Sequence, residues 1–365
     1  MQRRCFLPLF FLCLTFFPTL RAAAELPELI EQLGDEAFAR REAASKAIEK
    51  IGEPALPAMR RAAMTGDDME VRGRAQQLVR VILINASKSK SSELELQIID
   101  PGEFTMGSPE RELGRRADEK EHAVRITQLY LIGTFEVTQE EYQKVMKANP
   151  SWFTKTADGK DAIGSEDPSQ FPVERVSWYD AIAFCNQLSE LDGYEAYYKV
   201  EDLVRENNVI KSANVTIRGG AGYRLPTEAE WEFACRAGSK LAFHFGASNT
   251  GREANLKPGG STGYGSVPNW KALGRPAKVG SYPPNREGLF DMHGNVGEWC
   301  WDWYDGEYYK VSPGTDPTGP AAGKQRVVRG GSWMVNEHSC RSASRFWQLP
   351  HESNYYTGFR VARTP

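Results

Sequence analysis

Beyond its first two dozen residues this 365-residue sequence has no apolar run long enough to cross a bilayer. It has no excess of either charge. Its 45 Lys and Arg against 48 Asp and Glu leave −3, so no global basic field points to nucleic acid. Only five histidines occur, none in HxxxH spacing. None of the six cysteines stands in a CxxC or Cys/His pattern, which argues against a structural zinc. No phosphate-binding loop and no Ser-His-Asp set is legible. What is present is a globular mix, 41% hydrophobic and 25% charged, with length for two domains. Thirty-three glycines and nine tryptophans favour a turn-rich fold with aromatic anchors over a helical bundle.

Residues 1–24 read as an export signal. Arg3 and Arg4 precede an apolar stretch from Phe6 to Phe17, and Ala22-Ala23-Ala24 supplies small residues before Glu25. The competing reading is an uncleaved anchor, and the Arg3-Arg4 pair leaves the secretory and twin-arginine routes both open. With the signal removed, no membrane span remains. Export places the chain in the periplasm or outside the cell, where Cys185, Cys235, Cys300 and Cys340 meet disulfide-permissive conditions.

Residues 25–84 form a small all-α region with a repeat at a spacing of 32. Gly34-Asp35 recurs as Gly66-Asp67, Arg40 as Arg72, Ala43 as Ala75 and Ile51 as Leu83. Pro54 and Pro57 suit a helix start. The unit resembles a HEAT-like pair, a docking surface or simply a spacer. Residues 85–93 (NASKSKSSE) have the composition of a linker. The main domain covers 94–365 and opens on a strand pattern at Leu94, Leu96 and Ile98. Three helix starts carry a hydroxyl N-cap with an acid three residues on: Thr138 with Glu141, Ser177 with Asp180, and Thr227 with Glu230. In the third helix Trp231, Phe233 and Ala234 are expected to face a core while Glu228, Glu230 and Glu232 point outward. Arg224 and Glu228 are expected to form an exposed pair. Residues 239–287 lack periodicity, and a loop that long is usually functional or held by ligands.

A series of blocks then runs in one order: Gly102-Glu103-Phe104-Thr105-Met106-Gly107, Phe135-Glu136-Val137-Thr138, and Pro172-Val173-Glu174-Arg175-Val176-Ser177-Trp178. Tyr223-Arg224-Leu225-Pro226-Thr227-Glu228-Ala229-Glu230-Trp231 follows, then Gly288-Leu289-Phe290-Asp291-Met292-His293-Gly294-Asn295-Val296 with Glu298-Trp299. Arg329-Gly330-Gly331-Ser332-Trp333 and Gly358-Phe359-Arg360 close the series. This order, over about 270 residues, resembles the formylglycine-generating-enzyme (sulfatase-modifying-factor) family. The resemblance implies an α+β fold, the family's variant of the C-type lectin-like domain, with calcium held in loops. Most of these residues are scaffold, so the motifs speak to fold more than to activity.

By the same resemblance, Asp291, Gly294, Val296 and Glu298 are a calcium set, two carboxylates with backbone carbonyls between them. The competing reading is an ion-free turn. A weaker second set comprises Asn255, Leu256 and Asn269. Family oxidases act on a cysteine of a target sulfatase, using oxygen and copper(I) held by two cysteines, an arrangement that suits a soft ion. Counted from Ser332, those positions are Val335 and Cys340; counted back from Gly358-Phe359-Arg360, Cys340 falls on a position that is not a catalytic cysteine, and either count leaves the pair broken. Ser332 and Cys340 are therefore the only candidates for catalytic residues, and the broken pair argues against copper. The resemblance also suggests a Cys235–Cys340 disulfide and leaves Cys185 without a partner, because Val361 stands where one is expected. Two functions stay open: an exported oxidase of this type, and a noncatalytic, calcium-stabilised binding module for a peptide, glycan or partner protein.

Overall fold

A computed structural model describes residues 18–206, 209–258 and 271–365. The chain divides into two units, one ending at Ala86 and the other spanning Ser87–Pro365. Among its described residues the first holds four α-helices: α1 (Pro18–Gln32), α2 (Phe38–Ile51), α3 (Leu56–Thr65) and α4 (Met69–Ala86). Pro54 and Pro57 occupy first turns, where a missing N–H costs nothing. Ala44, Ile48, Met59, Ala75 and Ile82 form a buried interior. Arg41 donates to the carbonyls of Asp35 and Glu36, and Arg72 repeats the contact with Gly66 and Asp67. The structural repeat is therefore one residue shorter than the sequence period, and Arg41, not Arg40, is the counterpart of Arg72. Residues 1–17 of the expected signal lie outside the described residues, and α1 runs on through the Ala24–Glu25 boundary. Among the described residues no helix is long and apolar enough to cross a membrane.

The stretch read from its composition as a linker is folded. Ser89 N–H donates to Leu94 O and Leu96 N–H to Ser87 O, closing a turn with a bridge between Lys88 and Glu95. The amides of Lys90 and Ser91 donate to the Asp192 carboxylate, and Ser89 and Ser92 are buried. Serine is polar enough to suggest a linker, but its hydroxyl also satisfies turn amides locally, as Ser89 does for Ser92.

The second unit contains β1 (Leu96–Ile99), β2 (Gly102–Met106), β3 (His122–Ile126), β4 (Tyr130–Gly133), α5 (Gln139–Met146), α6 (Lys160–Ile163) and α7 (Trp178–Asp192). Then come β5 (Tyr198–Glu206), β6 (Val209–Ile217), α8 (Glu228–Arg236), β7 (Gly297–Trp303), β8 (Arg326–Arg329), β9 (Phe346–Gln348), β10 (Thr357–Gly358) and β11 (Ala362–Arg363). One sheet has the order β1-β4-β11, so the C-terminus pairs with β4. A second has the order β10-β7-β8-β9, and β2-β3 and β5-β6 form two ribbons. All three expected capping boxes are present, each with reciprocal side-chain and backbone bonds.

Buried ion pairs occupy much of the space that regular structure leaves. Trp231 and Ala234 do enter the core, but Glu228 and Glu232 do not point outward: both are buried. Glu228 accepts from Arg329 and, through both oxygens, from Arg345; Glu232 accepts from Arg329 and Arg236. Burial alone would raise the Glu228 pKa, but Arg345 and Arg329 outweigh it and hold the carboxyl below its ordinary range. Arg224 pairs with Glu230 rather than Glu228, in two bonds of 2.7 Å. Removing one member of a buried pair leaves an uncompensated charge, at a cost of about 3–5 kcal/mol. Glu228→Gln is therefore expected to lower unfolding free energy by about that amount in urea titrations. Glu103→Gln, which breaks an exposed pair with Arg125, should cost less than about 1 kcal/mol.

Candidate functional site

The segment after β8 builds the site. Gly330 and Gly331 take φ of +87° and +75°, and a Cβ on Gly331 would lie 2.5 Å from the Cys340 sulfur. Glycine thus lets this turn fold directly onto Cys340. Ser332 is buried, and its Oγ accepts from Met334 N–H. Val335 packs in the apolar cluster that contains Cys340, Leu256 and Phe243. The structure therefore brings Ser332, Val335 and Cys340 together. Beside them lies a cavity of about 360 Å³, floored by Gly297 and Val328 of the sheet and walled by Met334, Val335, Phe346 and Trp347. No charged side chain lines it.

Cys185, Cys235, Cys300 and Cys340 are all free and buried, so the suggested Cys235–Cys340 bond is not present. The His293 imidazole contacts both of those residues. Its Nδ1–H donates to Cys340 O at 2.7 Å, and its Nε2 lies 3.8 Å from the Cys235 sulfur. Nε2 also accepts from His244 N–H at 3.1 Å, which fixes the neutral tautomer. Burial holds His293 well below its usual range and His244 down to about 4. Burial pushes both the Cys235 and Cys340 thiols up to about 12, so neither is a ready thiolate. Cys300 sits in β7 among Trp299 and Trp301, and its carbonyl accepts from the Trp178 indole.

Of the expected calcium residues, Asp291, Gly294 and Val296 lie on the tight turn before β7, where Asp291, Gly294 and Asn295 all have positive φ, and Glu298 lies within β7. Both Glu298 oxygens accept from Arg360 at 2.6 Å, and one also accepts from Trp231 Nε1. Asp291 Oδ2 accepts from Gly280 N–H, while its Oδ1 is buried without a hydrogen-bond partner. Glu136 accepts from Val296 N–H and the Asn295 amide. Burial and the neighbouring Asp291 and Glu298 push Glu136 well above its ordinary range. Burial lifts Asp291 to about 6. Three carboxylates thus share the field of one guanidinium, Arg360. Among the described residues no three His, Cys, Asp or Glu side chains are placed to hold a metal ion, so any ion here needs backbone carbonyls as well. Glu136 was missed as part of this group, although it stands in the Phe135-Glu136-Val137-Thr138 block.

Asn255 braces the loops: its carbonyl accepts from Asn295 N–H, and its Nδ2 donates to Arg275 O and Asn295 Oδ1. Leu256 is buried against Cys340, and Asn269 lies outside the described residues.

A family model for the sulfatase-modifying factor enzyme 1-like domain matches residues 84–365. The chain belongs to that family. It is 41% identical over 149 residues to a formylglycine-generating enzyme of Streptomyces coelicolor, covering 39% of this chain and 47% of that protein. It is 37% identical over 221 residues to a protein of Paenibacillus barcinonensis named chaperone protein LppX, covering 56% of this chain and 69% of that one. Among solved structures it resembles Treponema denticola variable protein 1, with a TM-score of 0.60 and 31% identity over 76% of this chain and 98% of that one. The sulfatase-modifying-factor domain here accordingly has the expected α+β, C-type lectin-like fold.

One further buried acid borders this region. Glu174 Oε1 accepts from the amides of Trp152 and Phe153, Oε2 has no hydrogen-bond partner, and burial lifts the pKa to about 8. Because the folded pKa is the higher one, Glu174 contributes stability that is fully present below its unfolded pKa and is lost as pH rises through about 8. Glu174→Gln should therefore flatten the fall in melting temperature between about pH 5 and pH 8. An unchanged pH profile would show that this carboxyl does not titrate in that window.

Proposed function

We propose that this chain is an exported, noncatalytic binding module of the sulfatase-modifying-factor family rather than a copper oxidase. The observation that carries the reading is Val335, packed in the cluster of Cys340 where a second thiol is needed. Valine has no lone pair for copper, and a single buried thiol with a raised pKa is a poor partner for a soft cation. The donor set does not fit the metal. The uncharged cavity beside Ser332 is the binding feature that remains, with a peptide or partner protein as its ligand. Export rests on the pattern of residues 1–24. The four N-terminal helices, HEAT-like in their pairing, serve as a docking appendage.

Purified protein incubated with a cysteine-x-proline-x-arginine peptide, copper and oxygen is expected to yield no formylglycine by mass spectrometry. Copper-dependent formylglycine would overturn the reading.

The calcium residues fit their ion better. The unpartnered Asp291 Oδ1 and the excess of carboxylate around Arg360 both support calcium, with Asp291, Glu298 and the carbonyls of Gly294 and Val296 as ligands. Bound there, calcium would supply positive charge and tie the loop down. Added calcium should raise the melting temperature, more at about pH 7.5 than at about pH 5, because the proton and the ion compete for Asp291. Asp291→Asn should remove most of that response. A calcium shift of the same size in the variant would exclude Asp291 as a ligand.

A further inference from the structure

The surface around the Ser332 cavity has a composition of its own. Trp347 is 40% exposed and stacks on Tyr304 at 4.3 Å. Tyr355 is 39% exposed, with its ring 6.2 Å from Trp152 and 6.0 Å from Trp333. This second group borders the cavity through chain neighbours, since Tyr356, Ser332 and Met334 all line it. Two guanidiniums lie on the rings: Arg175 sits 5.6 Å over Trp152, and Arg116 sits 5.0 Å over Phe346. Both arginines are exposed, and among the described residues neither forms a salt bridge. They differ in this from Arg329, Arg341, Arg345 and Arg360 in the core, each held by a buried glutamate.

Tryptophan, tyrosine and arginine are the residues that most often dominate binding energy at protein interfaces. Inside the cavity several polar groups already have partners. Ser332 Oγ accepts from Met334 N–H, and Gln348 bonds both Thr357 and Asn354. The cavity therefore favours an uncharged, mainly apolar group, while the rim presents the exposed guanidiniums of Arg175 and of Arg116, which also donates to Arg345 O.

We propose that this face binds a polypeptide segment that inserts one large apolar side chain into the Ser332 cavity and sets acidic residues against Arg116 and Arg175. The inference rests on the noncatalytic binding reading and specifies the partner's chemistry. An arginine-rich segment is repelled here, and a sugar finds few free hydrogen-bonding groups in the cavity. The arginines add specificity and encounter rate, and their contribution falls as salt rises.

Fluorescence anisotropy on the full protein tests this with labelled Asp-Glu-Phe-Glu-Asp, Asp-Glu-Ala-Glu-Asp and Lys-Lys-Phe-Lys-Lys peptides. The first should bind at least about tenfold more tightly than either of the others. Arg116→Glu/Arg175→Glu, both on the exposed surface, should reverse the preference between acidic and basic flanks and keep the preference for phenylalanine over alanine. Val335→Trp, which fills the cavity, should remove the phenylalanine preference. If that variant does not fold, the surface variant still decides. Equal binding of the phenylalanine and alanine peptides, or a flank preference untouched by the charge reversal, overturns the proposal. So does a neutral oligosaccharide that binds when no peptide does. Anisotropy reads binding whether or not a peptide is oxidised, so failure here is separable from failure of the noncatalytic reading, which mass spectrometry reports.

Discussion

The contact on which the second unit depends is that of Arg329 with Glu228 and Glu232. Both acids lie on one face of α8, four residues apart, and one guanidinium from β8 closes on them in the core. Arg329 also donates to the carbonyls of Ser342 and Ala343, so it satisfies loop backbone that no strand pairs. Arg345 joins through Glu228, and Trp231 of the same helix donates to Glu298, which holds Arg360. One short helix thus links the central sheet to the C-terminal segment. Long loops become permissible because buried charges, rather than ladders, fix their positions. The cost is vulnerability, since each buried charge is tolerable only while its partner is present.

The site inherits its geometry from this frame. Arg329 leads into the Gly330-Gly331 turn, which lays Ser332 and Val335 beside Cys340. Glu298 and Arg360 anchor the turn that carries Asp291, and Arg360 also donates to the carbonyls of Gly133 and Phe290. The frame is that of the family. The chain also matches less than half the length of the Streptomyces enzyme. The family blocks hold this frame together, and a branched hydrocarbon, Val335, packs in the cluster that contains Cys340.

Local patterns were legible in the sequence, and long-range pairings were not. The three capping boxes and the glycine pair follow from neighbouring residues and appear where expected. The outward direction assigned to Glu228 and Glu232 was wrong because a glutamate reads as exposed until its partner is known. Here the partner arginine lies 101 and 97 positions away. Pairing Arg224 with Glu228 failed for a local reason: Glu230, already drawn back by its capping box, is the acid within reach. The stretch 85–93 misled by composition, since serine-rich chain also forms turns when its hydroxyls cap them. Glu136 was read as part of a helix entry. Its approach to Asp291 and Glu298 spans about 160 residues and leaves no local trace.

The central claim is that the remaining cysteine does not make a copper site. Competitive titration of the reduced protein with copper(I) against a chromophoric chelator tests it without any substrate. The account predicts that the wild-type protein withdraws no stoichiometric copper from the chelator and that Cys340→Ser behaves in the same way. Tight one-to-one binding that Cys340→Ser abolishes would contradict it.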